Sequence, residues 1–327
     1  MVTLPEPKNY AFKKTLRDFI PPINFLTHNL YSYPAKFIAH VPYYVISKFL
    51  RNTNGVILDP FAGSGSTAIE ALRLGHHCIC IDINPLTKFL TEVKTQRIGF
   101  ELHQSPITNL NSFMKLDNIP EESSKDLIYL DSFMKKLKQN NNTFYPNWRN
   151  IDHWYPEEFK HILAKIWGYL HSIETEMQIE FMNLAKLSAL YLSRYLSYGA
   201  RDVPKLFKSR RRIKQIEILR KEIQDKPEIP YTVYNTKMFT YFKQMKQLSI
   251  VLEKNNITPE YATRLSDLTL KSNEEGRKKI ITLGETDVLN YNFSIQNEFI
   301  DLIITSPPYI YAQEYMRSTK LDLYWLN

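Results

Sequence analysis

Residues 56–67, Val-Ile-Leu-Asp-Pro-Phe-Ala-Gly-Ser-Gly-Ser-Thr, confine this chain to a narrow set of folds. A short, wholly apolar run reads as a strand covered on both faces. A glycine loop follows, then Ala68-Ile-Glu-Ala-Leu-Arg-Leu74, which reads as a helix whose start Ser66 or Thr67 can cap. Gly63 and Gly65 allow the backbone to approach a ligand closely. A second strand, His77 to Ile81, ends at Asp82 in Asp-Ile-Asn-Pro. Strand, glycine loop, helix and strand with an acid at its tip describe the opening of a parallel, doubly wound α/β sheet, and the tip acid suits ribose hydroxyls.

A third strand carries a different tip. Leu302, Ile303 and Ile304 lead into Thr305-Ser306-Pro307-Pro308-Tyr309. Neither proline can donate a ladder hydrogen bond, each fixes its own φ, and the residue before a proline is pushed to extended geometry. The carbonyls of Ser306 and Pro307 are thereby held stiffly just past a strand end, with the Tyr309 ring beside them. Such a tip suits a planar ring bearing an exocyclic amine: the aromatic face stacks and the amine donates to the oxygens. The glycine loop alone also fits a dinucleotide, because Ala68 can stand for the third glycine of that pattern. Asp59-Pro60-Phe61 and the Ser-Pro-Pro-Tyr run have no place in that alternative.

Asp59-Pro-Phe-Ala-Gly-Ser-Gly-Ser-Thr67 resembles the S-adenosylmethionine-binding motif of the DNA amino-methyltransferases, and Thr305-Ser-Pro-Pro-Tyr309 resembles their catalytic motif. His28-Asn-Leu-Tyr-Ser-Tyr-Pro-Ala-Lys-Phe37 resembles the motif that precedes the cofactor loop and helps close its methionine end. Gly284-Glu-Thr-Asp287 resembles the motif whose acid meets the adenine ring. The resemblance covers residues 28–98 and 280–327 and leaves the middle uncovered. It implies a partial Rossmann-like methyltransferase sheet that binds S-adenosylmethionine through Lys36, Phe37, Asp59, Phe61, Gly63, Gly65, Asp82 and Asp287. Asp59 would meet the methionine portion and Asp82 the ribose. Ser306, Pro307, Pro308 and Tyr309 would be catalytic, acting on a base flipped out of double-stranded DNA. Serine at the first position of Ser-Pro-Pro-Tyr is associated in this family with N4 of cytosine, and aspartate with N6 of adenine. An N6-adenine enzyme and an inactive or split fragment that binds DNA are the alternatives.

Between the blocks, residues 101–279 read differently. Phe159, Ile162, Leu163, Ile166 and Leu170 have helical spacing, and further helices are expected over 178–195 and 237–254. The chain is accordingly read as an N-terminal segment with the cofactor half (1–100), a mainly helical insert that is the candidate DNA-recognition region (101–279), and a catalytic block (280–327). A helix is also expected near 42–50, and residues 1–27 are expected to be extended.

Charge supports a polyanionic partner: the net charge is +8. The densest basic stretch holds Arg201, Lys205, Lys208, Arg210, Arg211, Arg212 and Lys214, interleaved with Tyr195, Tyr198 and Phe207. A solvated surface is the plainer reading of a charge run. Phosphate contact is the alternative that the aromatics and the overall charge favour. Trp148, Trp154 and Tyr155 read as core or domain packing.

The two cysteines, Cys78 and Cys80, face the same way on one strand and read as buried thiols, with no metal site indicated. No apolar run is long enough to span a membrane, and the expected location is cytoplasmic. The catalytic strand is expected at or near a sheet edge, with a second polypeptide as one candidate for completing the target pocket.

Overall fold

The computed structural model describes residues 26–34, 36–50, 54–98, 121–199, 206–267, 276–290, 299–306 and 315–326. The elements in chain order are α1 (His40–Phe49), β1 (Val56–Asp59), α2 (Ser66–Arg73), β2 (His77–Ile81), α3 (Leu86–Thr95), α4 (Glu121–Gln139), α5 (Ile151–Trp154), α6 (Glu157–Ile173), α7 (Ile179–Leu196), α8 (Arg210–Asp225), α9 (Ile229–Lys254), β3 (Thr258–Ala262), β4 (Arg277–Leu283), β5 (Leu302–Ile303) and α10 (Tyr315–Leu326). They fall into two compact units. The first comprises 1–97, 200–207 and 241–323, and the second 98–199, 208–240 and 324–327.

The first unit is a Rossmann-like α/β structure built on a five-stranded sheet in the order β3-β4-β2-β1-β5, with every pairing parallel. Every residue of β1 and β2 is buried, as their unbroken apolar runs require. Strand alternation sorts these side chains onto two faces. Ile57, Cys78, Cys80 and Ile280 share one core cluster with residues of α1, α2 and the end of α9. Val56, Leu58, Ile79, Ile81, Ile281 and Leu283 form the other, against Ala262, Leu265, Val288, Phe299 and Ile300. Each fully buried aliphatic side chain contributes roughly 1.5–3 kcal/mol.

From β1 the chain winds to β2 on one side, while β5 lies on the other. The order therefore reverses at β1, and the crevice beyond its carboxyl end is where such sheets bind ligands. At β5 the pairing extends beyond the strand proper, from Asp301 N to Val56 O (2.9 Å) and from Ile304 N to Leu58 O (3.0 Å). As expected, this strand is at a sheet edge among the described residues, and Ile303 is 59% exposed.

β3 is a strand within the stretch read from sequence as a mainly helical insert, although Asn255-Asn256-Ile257-Thr258-Pro259 carries turn-favouring residues. Pro259 lies within this strand, and an edge strand tolerates it because the outer side needs no donor. The region between the cofactor and catalytic blocks is thus not helical throughout: its residues 241–267 belong to the unit that contains the sheet.

The second unit is helical in its described elements, α4 to α8 with the first half of α9. Trp167 is fully buried, and the Tyr234 hydroxyl donates to Ala185 O at 3.1 Å. Residues 324–327 belong to this unit: Tyr324 stacks on Trp148 (4.3 Å between ring centres), and Trp325 Nε1 donates to the Tyr155 hydroxyl at 3.0 Å. The aromatic cluster at 148–155 is therefore a packing element. The expectation for residues 1–27 lies outside the described residues except at Leu26 and Thr27. No helix of the described residues is long and apolar enough to cross a membrane.

Candidate functional site

Four strand ends, those of β1, β2, β4 and β5, and the segment ahead of α1 meet at the head of the sheet. The loop after β1 is shaped by Gly63 (φ +53°) and Gly65 (φ +74°), left-handed positions that disfavour a side chain. A Cβ on Gly63 would press on the Tyr33 ring at 3.2 Å, and one on Gly65 would meet Thr91 Oγ1 at 2.7 Å. The first turn of α2 differs from expectation. Gly65 is its cap residue and no side chain caps it. The Thr67 hydroxyl instead donates to Asp59 Oδ2 at 2.6 Å.

Asp59 also accepts from Phe61 N at 3.1 Å, so its two oxygens fold the loop from beneath. Burial raises its carboxyl to about 6, against these hydrogen bonds. Asp82, at the end of β2, accepts from Gly63 N at 2.7 Å and from Asn84 N at 2.8 Å. Burial raises its pKa too, and the two backbone donors oppose the shift. Its main chain joins the third strand end: Asp82 N donates to Leu283 O (3.2 Å), and Thr286 N to Asp82 O (3.1 Å).

Residues 26–37 close one side. The buried His28 ring bonds Glu70 on α2 at 2.8 Å, and the Thr27 hydroxyl donates to Lys94 O at 2.6 Å. Burial drives Glu70 up, but the His28 bond and the Arg73 charge outweigh it and leave its pKa lowered. Lys36 Nζ donates to His28 O at 2.8 Å, and burial lowers its pKa. Beneath the loop the fully buried Lys94 donates from Nζ to Ser64 O at 2.7 Å. Its pKa is well below the usual lysine value, through burial and then the Lys36 charge.

One cavity collects Tyr33, Lys36, Phe37, Phe61, Gly63, Ser64, Asp82, Ile83, Asn84, Thr286, Asp287, Val288 and Ser306. Among the residues expected to hold the cofactor, Lys36, Phe37, Phe61, Gly63, Asp82 and Asp287 are thus brought together. Ser306 of the catalytic motif joins them. Asp59 and Gly65 are not on the lining: they build the loop from behind. Pro307, Pro308 and Tyr309 lie outside the described residues. Asp287 is exposed and accepts from Leu289 N (3.1 Å) and Asn290 Nδ2 (2.7 Å).

The lining fits a nucleoside with a polar, charged tail. It offers apolar faces, carboxylates at two strand ends, a lysine, and Ser64, whose buried hydroxyl has no protein hydrogen-bond partner. Sequence reasoning did not single out Tyr33, Asn84 or Lys94 for this site. Asn84 carried a signal, an Asx residue just ahead of a proline at a helix start. Lys94 carried none, because nothing local distinguishes it from a solvated helical lysine.

The basic stretch is divided. Arg210, Arg211 and Lys214 are exposed on α8. Lys208 lies over the Tyr198 ring, 4.6 Å from its centre. Arg212 is different and corrects the expectation of a phosphate contact. It is buried, and its guanidinium donates to Ser197 O (3.0 Å), Tyr195 O (2.5 Å) and Arg194 O (3.3 Å), capping the carbonyl end of α7. Arg201 and Lys205 lie outside the described residues.

Residues 8–90 match the DNA methylase family of N6/N4 type. Along 97% of its length the chain is 23% identical to the type II methyltransferase M.BsoBI of Geobacillus stearothermophilus, covering 56% of that protein. It is 22% identical to M.MvaI of Kocuria varians over 92% of this chain and 58% of that one. A 74-residue stretch, 23% of this chain and 14% of the relative, is 36% identical to M.MjaII of Methanocaldococcus jannaschii. The chain therefore spans little more than half the length of the two relatives it matches along most of its own length. No solved structure matches it significantly. Proteins of the matched family use S-adenosylmethionine as methyl donor, and a parallel sheet with a glycine loop at its switch point agrees with the sequence matches: residues 8–90 are similar to DNA methylases of N6/N4 type, and most of the chain is similar to type II methyltransferases.

Proposed function

We propose that this chain takes part in methyl transfer to an exocyclic base amine of double-stranded DNA, N4 of cytosine in the first instance. The observation that carries the proposal is the convergence of the glycine loop, Asp82, Asp287 and Ser306 on one cavity. S-adenosylmethionine, when bound there, supplies an electrophilic methyl group. Asp82, which holds the Gly63 amide, would accept from ribose hydroxyls, and Asp287 would accept from an adenine amine. Lys36 offers a positive charge to a carboxylate. On the target side, oxygens of Ser306 and its neighbour Pro307 would accept hydrogen bonds from the base amine. That fixes the nitrogen lone pair toward the methyl donor and stabilises positive charge developing on nitrogen. The Tyr309 ring would stack on the base. Orientation, with no covalent nucleophile, would provide most of the rate. Arg210, Arg211, Lys214 and Lys208 are proposed as phosphate contacts that position the duplex.

Among the described residues β5 is at the sheet edge, where further strands could wall the target pocket, and we include a second polypeptide among their candidate sources. Calorimetric titration with S-adenosylmethionine should show binding by the wild type and loss of most affinity in Asp82→Ala. Equal affinity would remove Asp82 from the site. Tritium transfer to mixed-sequence DNA, with any completing chain present, followed by digestion to nucleosides, separates N4-methylcytosine from N6-methyladenine. The latter product would support the adenine alternative, and absence of both would support a DNA-binding fragment.

A further inference from the structure

A buried polar path leads from the cofactor cavity to α10, the helix that follows the catalytic motif. Asn84, 1% exposed, donates both amide protons: one to the Tyr33 hydroxyl (3.1 Å), the other to Thr319 Oγ1 on α10 (3.2 Å). Its carbonyl oxygen accepts from Leu86 N at 3.1 Å, so the amide orientation is fixed from both sides. Its own backbone N–H is held by Asp82, which also holds Gly63 of the loop. Three residues along the same face of α10, Asp322 accepts from the Tyr31 hydroxyl at 2.7 Å. Thr319 and Asp322 are both fully buried. Tyr31 and Tyr33 belong to the segment that carries the cavity residues Lys36 and Phe37.

An apolar contact would suffice to pack a helix here. Buried polar pairs add less stability than specificity of position, and they make sense where one element must register against another. Tyr33 and Asn84 line the cavity while Thr319 does not. A ligand that fills the cavity would add contacts to Tyr33 and Asn84 and so reinforce the bond from Asn84 to Thr319. We propose that Asn84 and Thr319 are positioning residues that couple occupation of the cofactor cavity to the placement of α10, and so to the target-base side of the site. The inference rests on the proposed cofactor reading.

The test is amide hydrogen exchange, read by mass spectrometry over residues 315–326, without and with saturating S-adenosylhomocysteine, whose binding is measured separately by calorimetry. In the wild type the ligand should slow exchange in α10 by about five-fold, the low end of ordinary coupling between sites. Thr319→Val should bind the ligand with unchanged affinity but lose that slowing, and Thr319→Ser, which keeps the hydroxyl, should restore it. A purely structural clamp would instead change exchange equally with and without ligand. Tyr31→Phe cuts the parallel tie and should weaken the response by itself if Thr319→Val does not fold. Ligand-bound wild type with no slowing in α10, or an undiminished response in folded Thr319→Val, overturns the coupling while leaving the cofactor reading intact. A wild type that binds no ligand removes both.

Discussion

Asp59→Asn isolates what a buried carboxylate costs under the glycine loop. Asp59 is 2% exposed, and burial moves its pKa from the ordinary 3.8 to about 6 despite bonds from Thr67 and Phe61. A carboxyl whose folded pKa is raised binds more protons when folded than when unfolded between those two values. Stability therefore falls as pH climbs from about 4 to 6 and is lower by a constant amount above 6. The displacement corresponds to about 3 kcal/mol at neutral pH, an order-of-magnitude figure at about 1.4 kcal/mol per tenfold change. Asparagine cannot ionise. Its Oδ1 still accepts from Phe61 N, and its amide can donate to the Thr67 oxygen once that hydroxyl rotates. Urea unfolding of both proteins across pH 4–7.5 should give a stability difference, variant minus wild type, that grows by about 3 kcal/mol toward pH 7. Glu92, also raised by burial, contributes equally to both proteins and cancels, whereas Asp82, whose charge helps to raise Asp59, is relieved of that neighbour in the variant. Parallel curves would refute the reasoning, for they would mean that Asp59 keeps an ordinary acidity in the folded chain.

Gly65→Ala should lower the urea midpoint by an amount worth about 2 kcal/mol or more. The alanine would be left-handed, and its Cβ would lie 3.1 Å from Thr91 Cα, which cannot rotate away. Arg212→Ala should destabilise the chain by about 2–4 kcal/mol, since it strips charge-assisted bonds from the end of α7, and should leave the salt dependence of DNA binding unaltered. Replacing Arg210, Arg211 and Lys214 together with glutamine should do the reverse. Stability should hold, and the slope of log affinity against log salt should shrink by up to about 3, read by fluorescence anisotropy from 50 to 200 mM salt; an unchanged slope would return this face to plain solvation.

The parts of the fold that could be read from sequence are those fixed by local pattern. The runs at 56–59 and 77–81 read as covered strands, and α1 and α7 match the expected helices at 42–50 and 178–195 within a residue or two. β3 could not be read, because Pro259 and the neighbouring Asn255-Asn256 signal a turn and only the edge position explains the strand. α4 and α8 do carry a helical period, Leu130, Phe133, Met134 and Leu137 in one and Ile216, Leu219 and Ile223 in the other, but many charges stand around these stripes. At the site, residues whose chemistry is stamped in a motif were legible: Gly63, Asp82, Asp287 and Ser306 line one cavity. Asp59 was legible as important but not as a loop former, because which groups claim its oxygens is a tertiary matter. For the same reason Arg212 could not be told from Arg210 and Arg211: helix phase buries one and exposes the others. His28 had only a motif match in the sequence, and the structure gives it a buried carboxylate to hold.

The two cysteines of the chain stand side by side on β2, 3.6 Å apart, both buried in the middle of the sheet. Their mutual hydrogen bond and then burial push the Cys80 thiol well above its usual range, so the reactive thiolate is suppressed on both counts. No thiol reagent can reach them without parting β2 from the helices laid over that face. With no other thiol in the sequence to confuse the signal, the rate at which a reagent in excess modifies this chain is a clock for the opening of its sheet. A ligand seated on the loop above should slow that clock by the same factor by which it stabilises the fold.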